Sequence, residues 1–117
     1  MILQEGFEIS SMEMFTLDRP TAEEFFEVYK GVLPEFTSMI EQVTMGPCIV
    51  LEVRQENAVK SFRQLCGPMD PEIAKSLRPN TIRARFGVNR TMNAVHCTDL
   101  EEDGGLECEY FFSIQQK

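Results

Sequence analysis

The run Cys48-Ile49-Val50-Leu51-Glu52-Val53 decides how this chain is built. It is a short, almost unbroken apolar stretch with the turn signal Gly46-Pro47 in front of it, the pattern of a central buried strand. Just beyond it, Asn57 caps a segment in which Val59, Phe62 and Leu65 or Cys66 fall on one side of a helix, closed by Gly67-Pro68. Strand is followed directly by helix.

Working back towards the N-terminus, Phe7 to Thr16 is rich in strand formers, and Phe7, Ile9, Met12, Met14 and Phe15 give both faces something to bury. Two helices are expected between the strands. Thr21-Ala22-Glu23-Glu24 reads as a capping box opening a short helix to about Tyr29, ended by Gly31. After Pro34, the residues Phe36, Met39, Ile40 and Val43 stand at i, i+3, i+4 and i+7 and so share one helical face.

Working forward, Gly67 to Asn80 holds three prolines and reads as a long surface loop, with irregular structure continuing to Val95. Thr98 and Asp99 are placed to open a last helix, because Glu101 and Glu102 stand at capping-box distance. Gly104-Gly105 weakens its first turns by about 1 kcal/mol per glycine relative to alanine. Cys108 to Ile114 closes the pattern as an apolar helix end or a strand. The sum is an α+β two-layer sandwich. Two strands alone make a marginal sheet, so a further strand is expected from the C-terminal run, a partner chain or a segment absent from this chain.

At 117 residues the chain is read as one domain spanning 1–117. Its 43% hydrophobic and 26% charged residues exclude global disorder. A net charge of -8 excludes an extended contact with a phosphate backbone, so no nucleic-acid partner is expected, while a small anion held by local arginines stays open. No stretch approaches the roughly 18 apolar residues of a membrane span, and Met1 to Gly6 lacks a basic segment followed by an apolar one. A soluble, cytoplasmic chain with no membrane partner is expected. Cys48, Cys66, Cys97 and Cys108 form no Cys-x-x-Cys pair and read as reduced, mostly core thiols. Adjacent His96 and Cys97 are poor joint ligands for one tetrahedral zinc, so no metal cluster is expected.

His96 is the single histidine and lies in a polar, non-periodic segment. Taken alone it is either a hydrogen-bonded structural histidine or a reactive one. Arg63 and Arg83 come from separate elements, and their planar forks suit phosphate oxygens, although each alone also fits a solvated surface residue.

The order of these residues resembles the nucleoside diphosphate kinase family. Asn93-Ala94-Val95-His96-Cys97-Thr98-Asp99 is similar to that family's Asn-x-x-His-Gly-Ser-Asp segment, and Arg83 stands ten residues before Asn93, as the family's arginine does. The register runs on without a gap to Glu107 and Phe111-Phe112. Upstream, Gly6-Phe7, Gly46-Pro47, Lys60-Ser61-Phe62-Arg63 and Asp70-Pro71 resemble the family's second strand, third strand, helix and loop. Cys97-Thr98-Asp99 and the lengthened loop Gly67 to Ala74 look like a divergent branch associated with cilia, centrosomes and microtubules.

The resemblance implies a ferredoxin-like antiparallel sheet with helices on one face, truncated at the N-terminus where the family has a first strand bearing a lysine. It implies nucleoside tri- and diphosphates as partners, Mg²⁺ bound through their phosphates, and a homo-oligomer or a ciliary or microtubule assembly as context. His96 would be the nucleophile, Glu107 would orient it, and Thr98 would keep the family's hydroxyl. Arg63 and Arg83 would bind phosphates and Asn93 the ribose. Departures from the family pattern fall at Phe26 or Glu27, where it has a tyrosine whose hydroxyl is lost unless Tyr29 substitutes, at Met69 for a threonine, and at Glu35 for a base-stacking phenylalanine, with Phe36 as neighbour. The family's chemistry, transfer through a phosphohistidine, has as its rival a weak or inactive structural module.

Overall fold

The structure is a computed structural model that describes residues 1–114. Strand β1, Glu8–Phe15, pairs antiparallel with β2, Cys48–Arg54. Glu8 faces Arg54, Met12 faces Leu51 and Phe15 faces Cys48, with an irregularity between Ile9 and Ser11. There the Ser10 hydroxyl donates to Glu52, at 3.2 Å from its carbonyl and 2.7 Å from its Oε1. A bulge of this kind fixes register, since a one-residue slip would turn every side chain to the other face.

Helices α1, Arg19–Phe25, and α2, Phe36–Thr44, lie between the strands. Their contact is the core. Ala22, Phe26 and Ile40 are buried, and Phe25, Tyr29, Phe36, Met39 and Val43 pack against them. The expected α2 stripe is therefore the face that docks. Ile40 is fully buried, which stabilises the fold by about 1.5–3 kcal/mol.

The start of α1 differs from expectation. Asp18, not Thr21, is the cap: its carboxylate accepts from the Thr21 amide at 2.9 Å, and Arg19-Pro20 occupy the first turn, where proline's missing N–H costs nothing. A 3₁₀ turn over Glu27–Tyr29 continues the segment.

Helix α3, Ala58–Cys66, follows β2. Asn57 precedes it in a left-handed conformation, φ 51°, and makes no side-chain cap, contrary to its expected role. The stretch expected to be loop from Gly67 to Asn80 instead holds α4, Pro71–Leu77. Asp70 caps it, accepting from the Glu72 amide at 3.0 Å, and Pro71 sits at the first helical position. Helix α5, Ile82–Phe86, interrupts the segment expected to be irregular and is capped by Thr81.

A 3₁₀ turn over Glu101–Asp103 leads into α6, Gly104–Glu109, and a π-helical turn over Tyr110–Ile114. The last helix therefore opens later than Thr98 and Asp99, and the Thr98 hydroxyl donates to Glu107 instead of starting it. The C-terminal run is helical, not a third strand. Its rings explain why: Phe111 packs on Phe15 and Phe25, and Tyr110 on Phe25.

Among the described residues β2 has β1 as its one strand neighbour. The strand is consequently more open than its composition predicts. Ile49 is exposed and Leu51 and Val53 are half-buried.

Candidate active site

His96 lies in the irregular segment between α5 and the last helix. Three rings from the end of α1 and the turn after it enclose its imidazole: Phe26 at 4.8 Å, Tyr29 at 5.9 Å and Phe25 at 6.0 Å between centroids, all close to perpendicular. Rings meet edge to face in this way because a positive edge finds a negative face. Protein crowds the imidazole on these sides, yet the residue stays open to a cleft of about 1290 Å³ that also meets β2, Arg83, Asn93 and Glu107. Crowding by apolar rings, and then the nearby Arg83 charge, hold the imidazole pKa below the usual histidine range. The ring is neutral at pH 7.

Arg83 is buried at 8% exposure and ties two segments together. Its Nη1 donates to the Gly67 carbonyl at 2.9 Å and its Nη2 to the Val95 carbonyl at 2.8 Å, one residue before His96. Nε is buried with no partner among the described residues. Arg63, exposed near the end of α3, donates from Nη1 to the Asp99 carbonyl at 3.0 Å. Both arginines therefore hold the backbone on either side of His96.

Glycine is required at the junction these arginines grip. Gly67 has φ 83°, and a Cβ there would come within 2.5 Å of the Thr81 hydroxyl oxygen. The close approach lets Thr81 reach the Arg78 carbonyl at 2.8 Å while it caps α5 and aims Arg83.

The Thr98 hydroxyl donates to Glu107 Oε1 at 3.0 Å. Burial raises the Glu107 carboxyl pKa, Thr98 opposes that, and the charges of Asp103 and Asp99 add to it. Burial and Asp103 likewise raise Asp99, which accepts a hydrogen bond from the Tyr29 hydroxyl. The Asn93 amide reaches the Met69 carbonyl at 3.4 Å.

The structure thus brings His96, Arg83, Arg63, Thr98, Glu107 and Asn93 into one region from four separate stretches of chain. Glu107 engages Thr98, and the arginines engage carbonyls. Phe25 is a neighbour that sequence reasoning did not single out, and Asp99 was expected only as a helix opener and motif member. Phe25 and Tyr29, four apart, share a helical face, the signal that could have exposed the ring cage.

The chain belongs to the nucleoside diphosphate kinase family, whose family model, described as "Nucleoside diphosphate kinase", matches residues 1–116. The rat protein "Nucleoside diphosphate kinase homolog 7" is 56% identical over 92% of this chain, which spans 27% of that relative's length. The nucleoside diphosphate kinase of Aquifex aeolicus is 36% identical over 95% of the chain and 78% of its own length. A crystal structure of the Aquifex enzyme superposes with a TM-score of 0.90, covering 96% of this chain and 79% of the other. The fold is therefore the ferredoxin-like α+β fold of that family, represented here by a two-stranded antiparallel sheet with its helices. No helix among the described residues is long and apolar enough to cross a membrane.

Proposed function

We propose that this chain is a phosphotransfer domain of the nucleoside diphosphate kinase type in which His96 carries the phosphoryl group. The observation behind this reading is a neutral imidazole, open on a cleft that Arg83 also lines, in a segment whose backbone Arg83 and Arg63 grip on either side. Neutral imidazole is both nucleophile and leaving group near pH 7. A ring nitrogen attacks the γ-phosphorus of a nucleoside triphosphate, the bond to the bridging oxygen breaks, and the diphosphate leaves. A second nucleoside diphosphate then takes the phosphoryl group from His96, restoring the free ring.

Arg63 and Arg83 supply positive charge for the phosphate oxygens, the dominant need in such a transfer. Asn93 holds the ribose, and Thr98 with Glu107 positions the segment beside the imidazole. The Tyr29 hydroxyl, in the ring cage around His96, stands in for the tyrosine that the family has near Phe26. Mg²⁺ fits as a cation carried by the nucleotide. Beyond the effect of burial, the Asp103 charge raises the Asp99 and Glu107 carboxyl pKa values and Asp99 adds to that of Glu107, a repulsion that an added cation would relieve.

Incubation with ATP labelled at the γ-phosphate should yield an acid-labile protein phosphate that His96→Ala abolishes. No label on wild-type protein, in conditions where calorimetry shows ATP bound, overturns the proposal.

A second reading is a structural module of a cytoplasmic ciliary or microtubule assembly, with little or no transfer. Phe26 favours it: buried at 3% exposure and packed on His96, it offers no hydrogen bond to a phosphate. This reading expects no thermal stabilisation by nucleotide and co-sedimentation with microtubules. Light scattering across concentrations tests for a homo-oligomer in either case.

A further inference from the structure

Cys66 and Cys97 are thirty-one positions apart, yet the fold brings their thiols close enough to act on each other. Three backbone clamps bring them together. The Arg83 fork joins the carbonyl of Gly67, next to Cys66, to that of Val95, two residues before Cys97. Arg63, on the same helix as Cys66, grips the carbonyl of Asp99, two residues after Cys97.

The two sulfurs differ in access. Cys97 is half-buried and lines the cleft, whereas Cys66, the last residue of α3, is fully buried. They differ in charge as well. The neighbouring Cys66 thiol, followed by the Arg83 and Arg63 charges, holds the Cys97 thiol below the usual range against the opposing effect of burial. The same contact and burial push Cys66 far up. The other two thiols offer no such activation: burial raises Cys48, and burial with Glu52 pushes Cys108 up to about 11.

We propose that Cys97 and Cys66 form a peroxide-reactive pair, Cys97 attacking from the cleft and Cys66 resolving from behind it. The Cys97 thiolate attacks one peroxide oxygen, an S–O bond forms, the O–O bond breaks, and the departing hydroxide is protonated to water. The product is a sulfenic acid. The Cys66 sulfur then attacks the Cys97 sulfur, an S–S bond forms, the S–O bond breaks, and the leaving hydroxide takes the Cys66 proton. Two thiols and one hydrogen peroxide give one disulfide and two waters. The product would fasten the residue after His96 to the end of α3, and the reaction needs no nucleotide.

Reduced protein treated with hydrogen peroxide, alkylated and digested without reductant tests this. The expected product is a Cys66–Cys97 linked peptide two hydrogens lighter than its parts, with Cys48 and Cys108 alkylated. At pH 7, Cys97 should be alkylated about ten-fold or more faster than Cys48, because the thiolate is the reactive form. Cys66→Ala should accumulate a sulfenic acid at Cys97 that a dimedone probe captures, and Cys97→Ser should give no linked peptide. The proposal is overturned if peroxide leaves both residues reduced, drives wild-type Cys97 to sulfinic acid without a link, or joins it to Cys48 or Cys108. The wild-type peptide map decides this even if a variant does not fold.

Discussion

Replacing Arg83 by methionine separates two roles that one guanidinium could fill. Methionine keeps much of the aliphatic volume and removes both donors, leaving the carbonyls of Gly67 and Val95 without their partner. A hydrogen bond from a charged donor contributes about 1.5–3 kcal/mol. Both carbonyls belong to half-buried residues that water can partly reach, so the lower end applies to each and the expected loss is about 3 kcal/mol in total. For a domain of this size that corresponds to a fall in Tm of about 10–15 °C. Urea unfolding followed by circular dichroism measures it, and the slope against denaturant should stay unchanged. Arg63→Met is the comparison: that side chain is exposed and makes one backbone bond, so its loss should stay below about 1 kcal/mol. Unfolding of Arg83→Met within about 0.5 kcal/mol of wild type, as for a neutral surface change, would refute the role of Arg83 as a strut between Gly67 and Val95.

Gly67→Ala should cost about 3 kcal/mol, combining a backbone conformation that L-residues avoid with a Cβ driven into Thr81. A urea midpoint matching wild type would contradict it. His96 has a folded pKa below its unfolded value of about 6.5, so below that pH the unfolded chain binds the proton first and stability falls as pH drops towards the folded pKa. Asp99 and Glu107, raised on folding, act in the opposite sense at lower pH, since the folded chain takes their protons first. The difference between wild type and His96→Gln isolates the histidine: the variant should lose less stability between about pH 7 and pH 5, and equal slopes would show the imidazole is not desolvated. Thr98→Val removes the bond that holds the Glu107 carboxyl down, so the acidic limb of the labelling profile should move to higher pH. An unmoved profile would uncouple Glu107 from transfer.

Legibility in the sequence followed length and periodicity. The α2 stripe of Phe36, Met39, Ile40 and Val43 was readable because nine residues repeat an apolar spacing twice. The helices α4 and α5 were not, since seven and five residues are too short to display a period. Their prolines misled in a physical way: Pro71 behind Asp70 is a helix start, although three prolines in fourteen residues look like a loop. The start of α1 is of the same kind: Asp18-Arg19-Pro20 carries the cap, three residues ahead of the Thr21 to which the capping-box pattern points. Around His96, the linear order of Arg83, Asn93 and Thr98 was legible through the family register. Of the rings, Phe26 and Tyr29 were legible through the family's tyrosine position, whereas Phe25 was not, because the cage meets His96 from about seventy residues away. That β2 stands half-open also needed the assembled sheet, since its composition describes a fully covered strand.

The pairing of β1 with β2 sets an order on folding. Thirty-two residues separate Phe15 from Cys48, and bringing the ends of such a flexible segment together costs about 3 kcal/mol of chain entropy before any ladder bond forms. The contacts of α1 with α2 lie inside that segment and shorten the gap as they form. The helical pair should therefore consolidate first and the strands close on it. Mutations such as Ile40→Ala should slow refolding, whereas changes at the strand tips should mainly speed unfolding.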